Sequence, residues 1–93
     1  MLLLMNLNKN WVLQIDSSVY RFLVKIPRGY AERILSVMQE LPDDPFRGDI
    51  QKMKGEENVW RRRIGAYRIR YELIIADKVI HIFLVERRTS SSY

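Results

Sequence analysis

The chain has 93 residues, 47% of them apolar and 29% charged, with only four glycines and three prolines, which excludes a disordered tract and leaves room for one small domain, 1–93. The absence of cysteine excludes a disulfide framework, a thiolate zinc site and a thiol nucleophile, and a single histidine argues against a histidine-based metal site. Net charge is +5 and unevenly distributed: residues 1–59 balance eight basic against eight acidic side chains, so the whole excess lies in 60–93, with five arginines between 61 and 70.

In chain order, Met1-Leu2-Leu3-Leu4-Met5 is apolar but far short of the roughly 18–20 residues a membrane span needs. It runs into Asn6-Leu7-Asn8-Lys9-Asn10 without a basic leader or a cleavage site, so no membrane association is expected and the expected location is cytoplasmic. Trp11 to Ile15 alternates bulky apolar residues and predicts a first strand, closed by Asp16-Ser17-Ser18 as a helix N-cap. Val19, Phe22, Leu23 and Ile26 then share a helical face, and Pro27 ends that helix. A second helix is predicted over Gly29–Leu41, with Ala31, Ile34, Leu35, Val37 and Met38 as its stripe and Pro42 closing it. The turn-rich stretch from Leu41 to Asp49 predicts a surface connection, and Ile50 to Met53 a short extended piece before the Gly55 turn. Three strands follow, Val59–Ile64, Ala66–Ile75 and Lys78–Arg87, joined by hairpin-sized gaps. The order β-α-α-β-β-β predicts an α+β domain: an N-terminal strand, an antiparallel helical hairpin, and a C-terminal antiparallel meander with one face on the helices.

Period-two alternation separates Arg61 and Arg63 from Trp60, Arg62 and Ile64, and separates Arg68, Arg70 and Glu72 from Tyr67, Ile69 and Tyr71. A face built from Arg61, Arg63, Arg68 and Arg70 cannot be buried against a core, because unpaired buried charge is costly, so it stays wet or binds an anion. Charge alone suits two readings: a solvated strand face partly neutralised by Glu72, Glu56 and Glu57, or a surface for a phosphodiester backbone, which guanidinium forks hold bidentately. Lys52 and Lys54 add flanking positive charge. Along the last strand the alternation puts His81, Phe83, Val85 and Arg87 on one side and Ile80, Ile82 and Leu84 on the other. His81 reads as a packed or edge residue, with no carboxylate at a suitable local spacing.

Nucleophilic triads, paired acids and phosphate-cradling glycine loops are missing, so any catalysis is expected to run without metal, cofactor or covalent intermediate. One reaction fits that inventory. RNA brings its own nucleophile in the 2′-hydroxyl, and a protein need only align it with the adjacent phosphate and neutralise the charge that develops there.

The segment Leu41-Pro42-Asp43-Asp44-Pro45, then Met53-Lys54-Gly55, the run from Trp60 to Tyr71 and the end Val85-Glu86-Arg87-Arg88 resemble the RelE/ParE toxin superfamily of toxin–antitoxin modules. The resemblance follows the element order over nearly the full chain. It implies a ribosome-dependent mRNA endonuclease that cleaves A-site codons through the 2′-hydroxyl, held inactive by an acidic antitoxin over its basic face; its partners are then antitoxin, ribosome and mRNA. It implies catalytic roles for Arg61, Arg63, Arg68 and Arg87, with Arg68 and Arg87 on the scissile phosphate and Tyr93 as the terminal tyrosine. Lys52, Lys54, Arg62, Arg70 and Arg88 would line the RNA path. Two features depart from the pattern: Glu86 stands where the family often has a base, and Ser90 and Ser91 displace the tyrosine to 93. The same fold also hosts ParE-like gyrase inhibitors, and a non-catalytic module binding RNA or an acidic segment is the third alternative.

Overall fold

The computed structural model describes residues 11–88. Strand β1 (Val12–Ile15) leads into helix α1 (Ser17–Leu23) and helix α2 (Arg28–Glu40). Four strands follow: β2 (Ile50–Lys52), β3 (Val59–Ile64), β4 (Tyr67–Ile74) and β5 (Val79–Arg87), with a 3₁₀ turn at Ile75–Asp77 before β5. They form a single sheet of order β1-β5-β4-β3-β2, antiparallel except for β1, which runs parallel to β5 at the edge. The parallel pairing requires a crossover, and the helical hairpin supplies part of it by crossing one face of the sheet.

Local signals explain the boundaries. Asp16 caps α1, its carboxylate accepting from the Ser18 amide at 3.2 Å and from the Ser18 hydroxyl, and these bonds hold its carboxyl below the usual carboxylate range. Because the cap is Asp16, α1 starts two residues before Val19. It also stops at Leu23, short of Ile26, where Lys25 bonds back three residues to the Phe22 carbonyl and the chain tightens toward Pro27. Helix α2 carries an exposed Arg28–Glu32 pair at 3.1 Å on its first turns.

One core spans both helices and the sheet. Val19 and Leu23 from α1, and Ile34 and Met38 from α2, meet Tyr67, Ile69, Tyr71 and Leu73 of β4 and Ile80, Ile82 and Val85 of β5. The extended piece at Ile50–Lys52 is a real edge strand, an element beyond the expected β-α-α-β-β-β, since its three residues pair with Trp60–Arg62 of β3. The 41–49 connection is also more embedded than its polar composition suggests. Leu41, Pro42 and Pro45 are buried, Phe46 stacks edge-on against Trp60 with ring centroids 5.2 Å apart, and the Tyr71 hydroxyl donates to the Pro45 carbonyl.

Strand β5 departs from simple alternation. Arg70 pairs with Leu84 but Tyr71 pairs with Ile82, so Phe83 is an extra residue and the strand carries a β-bulge there. The bulge reverses the parity of everything after it. Ile80, Ile82, Val85 and Arg87 belong to the helix side, whereas His81, Phe83, Leu84 and Glu86 belong to the side away from the helices. The expected grouping of Val85 and Arg87 with His81, and of Leu84 with Ile80, is corrected accordingly.

Candidate nucleic-acid interface

Both helices pack on the Tyr67–Leu73 side, which leaves the other face of the sheet to polar chemistry. On that open face the β3–β4 register sets Arg61 opposite Arg70 and Arg63 opposite Arg68. Like charges directly opposite each other in an antiparallel pair are destabilising, by roughly 0.2–1 kcal/mol. Two such pairs side by side are a local cost that the fold alone does not call for.

The cost is offset by groups from the flanking strands. Arg70 lies 2.9 Å from the Glu86 carboxylate across β5, with both side chains about one third exposed (29% and 32%). Arg63 Nε lies 3.6 Å from Asp49 at the end of the 41–49 connection, and Arg61 donates to the Gln51 side-chain oxygen on β2. Arg68 faces Glu86 in the register and also has its own intramolecular interaction. The open face is therefore a patch of arginines threaded with three carboxylates, Asp49, Glu86 and Glu72, the first two paired with arginines. The Arg63–Asp49 pair is exposed and worth little, so a phosphate can displace that carboxylate without large cost, whereas the Arg70–Glu86 pair is half-buried and held more firmly.

The expected site residues divide over two sides of the sheet. Arg61, Arg63, Arg68 and Arg70 come together on the open face. Arg62 does not: its register partner is Ile69 on the helix side, and its Nη1 donates to the Arg47 carbonyl at 3.0 Å. It pins the 41–49 connection on the helix side, apart from the other four. Arg87 pairs with Tyr67, so the register sets its Cα on the helix side, exposed at the end of β5, because of the bulge at Phe83. Arg68 and Arg87, expected to act together, therefore stand on opposite sides of the sheet near the end of β5. Lys52 shares the side of its partner Trp60, and Lys54 sits in the turn that follows, beside Glu56 and Glu57. Arg88 donates to the Gly65 carbonyl at 3.1 Å and its amide bonds the Ala66 carbonyl, closing the β3–β4 turn. Tyr93 lies outside the described residues.

One group was missed by local spacing. His81 pairs with Glu72 across the β4–β5 ladder, its Nδ1 3.1 Å from the carboxylate, on the same face as Arg70. The partner is nine residues away in sequence, so only the register reveals it.

Comparison with known proteins agrees with this architecture. Residues 12–91 match the family model of the ParE toxin of type II toxin–antitoxin systems, parDE. A protein named as toxin RelE1 of Methanocaldococcus jannaschii is 28% identical over 78 residues, covering 81% of this chain and 87% of its own. Among solved structures, the archaeal RelE–RelB complex from Pyrococcus horikoshii matches with a TM-score of 0.77 at 26% identity, over 88% of this chain and 99% of that one. The isolated Escherichia coli RelE toxin matches with a TM-score of 0.72 over 86% of each chain at 18% identity, a likeness of fold.

Proposed function

We propose that this chain, which belongs to the RelE/ParE superfamily and is a toxin of a type II toxin–antitoxin system, is a ribosome-dependent mRNA endonuclease. The observation that carries the reading is the pair of arginine–arginine rungs, Arg61–Arg70 and Arg63–Arg68, kept on the open face despite their mutual repulsion. In the reaction the 2′-oxygen loses its proton and attacks the adjacent phosphorus. The phosphorus–O5′ bond breaks, the departing 5′-oxygen takes up a proton, and a 2′,3′-cyclic phosphate remains. Arg61, Arg63 and Arg68 hold the phosphate chain and neutralise the pentacoordinate charge, and Arg87 reaches the substrate from the end of β5. Tyr93, displaced from its place in the family pattern, is the candidate for the pattern's tyrosine. The ribosome supplies the alignment of the message, so a protein with few acid–base groups suffices.

The partner that silences the toxin is a cognate antitoxin, in keeping with the RelB-bound form of the Pyrococcus horikoshii relative. An acidic segment of that antitoxin would replace Asp49 and Glu86 on the arginines, as the message would. Acting on the ribosome, the toxin works in the cytoplasm.

A second reading follows from the match to the ParE toxin family model: a ParE-like toxin that inhibits DNA gyrase through a protein contact and cuts nothing. Primer extension on mRNA after induction separates the two. Codon-spaced cuts that fall by about 100-fold in Arg68→Ala, the scale of losing one charge-stabilising donor, and persist in the helix-side Arg33→Ala support the endonuclease. Growth arrest with DNA damage and intact messages supports the gyrase reading.

A further inference from the structure

The open face is not arginine throughout. Beside the Arg61–Arg70 rung the β5 bulge turns two consecutive residues, Phe83 and Leu84, to the same side, where a regular strand would bury one of them. Both are half-buried and neither packs against the core cluster, so the apolar surface they present does nothing for the helices. His81 stands next to Phe83 with ring centroids 6.1 Å apart and planes tilted by 49°, and Glu72 holds its Nδ1 at 3.1 Å. Two rings thus sit on β5, one bonded to a carboxylate, on the strand whose backbone runs about 4.8 Å from that of β4, the bearer of Arg68 and Arg70.

We propose that Phe83, with His81 beside it, is a nucleobase-stacking platform, taking a base of a single-stranded RNA whose phosphates lie along Arg61, Arg70, Arg63 and Arg68. The inference rests on the reading of the open face as an RNA surface and adds how the base is held. A single strand alternates a flat apolar base with an anionic phosphate, and this face offers flat rings directly beside cations. An apolar protein segment would instead need a continuous apolar strip, and here the strip is interrupted by Glu72 on one side and Glu86 on the other. Stacking on an aromatic side chain is tolerant of sequence, so the platform holds any base.

The test uses the full chain, released from its antitoxin, and a short 2′-O-methyl oligoribonucleotide, which lacks the nucleophile and is not cut. Affinities are measured for this probe and for an abasic probe of the same length and charge. The wild-type protein is expected to prefer the base-bearing probe by roughly 5- to 150-fold, the range for one stacked base. Phe83→Ala is expected to erase the preference and Phe83→Tyr to keep it, while Arg70→Ala weakens both probes alike. Equal binding of the two probes by wild type overturns the platform, and needs no variant that might misfold. So does a Phe83→Ala protein that keeps the preference, or one that loses only antitoxin affinity, which would make Phe83 a protein contact. Cleavage on programmed ribosomes is scored separately with wild type. Its absence with base preference intact counts against the endonuclease alone, and its presence without base preference counts against the platform alone.

Discussion

From inside the core the hydroxyl of Tyr71 donates to the Pro45 carbonyl, 26 residues away, and so ties the middle of the sheet to the 41–49 connection. Burial pushes its phenol up to about 12 from 10.0, Asp44 adds to the shift, and Arg62 opposes it. A raised folded value means the neutral form is the one the fold holds. Its contribution is complete below pH 10 and is lost as pH climbs from 10 to about 12, where the unfolded phenol ionises and the folded one does not. Wild type is therefore expected to lose stability across that window, with Tyr71→Phe showing a distinctly flatter profile in urea melts. At neutral pH the same variant should be weaker by about 1–3 kcal/mol, because the buried Pro45 carbonyl loses its donor. A parallel pH profile in both proteins would show that Tyr71 ionisation has no part in alkaline unfolding. Next to this anchor, Arg61, Arg62 and Arg63 are identical in chemistry and unlike in role: the outer two face the open side, and the middle one is spent on the Arg47 carbonyl.

The elements most legible in the sequence were those where pattern and register coincide. Strand β3 spans Val59–Ile64 as its alternation requires, and β4 divides Tyr67, Ile69 and Tyr71 from Arg68 and Arg70 as period two demands. Alternation failed at β5 because it assumes one residue per rung; an extra residue at Phe83 leaves no local mark in an apolar run, yet it moves Arg87 to the helix side. The Glu72–His81 pair and the parallel seat of β1 were hidden for a related reason, since both depend on which strands become neighbours. The 41–49 connection looked polar, and its burial comes from partners far along the chain. Gly48 shows how tightly it is fitted: its φ is +90°, and a methyl at its Cα would collide with the Arg62 guanidinium. Gly48→Ala is expected to cost about 1–3 kcal/mol in chemical denaturation, through backbone strain and displacement of Arg62. Combined with Arg62→Ala, the added cost of Gly48→Ala should shrink to the backbone part. An unchanged melt in the single variant would mean the connection is not held as the Arg62–Arg47 bond implies.

Across the whole molecule, the charge excess of residues 60–93 is not spread evenly over the surface. The fold gathers four arginines on one face and sends Arg62 and Arg87 to the other side of the sheet, while Asp49 and Glu86 enter the cluster and lower its field. Binding of an RNA there releases counterions, so log affinity should fall linearly with log salt, by about 0.7 per phosphate contacted on a single strand. Engagement of all four arginines predicts a slope near −3, and Arg61→Ala should flatten it by about 0.7. Glu86→Gln works in the opposite sense. It removes a carboxylate that competes with phosphate for Arg70, so affinity should rise at low salt, and the gain should fade as ionic strength shortens the screening length below about 10 Å. Fluorescence anisotropy with an uncleavable oligonucleotide across a salt series measures both quantities. A slope near zero that ignores Arg61→Ala would mean that the arginine face does not carry the phosphate chain. A Glu86→Gln protein that binds more weakly would mean that the Glu86 carboxylate holds Arg70 in its working position.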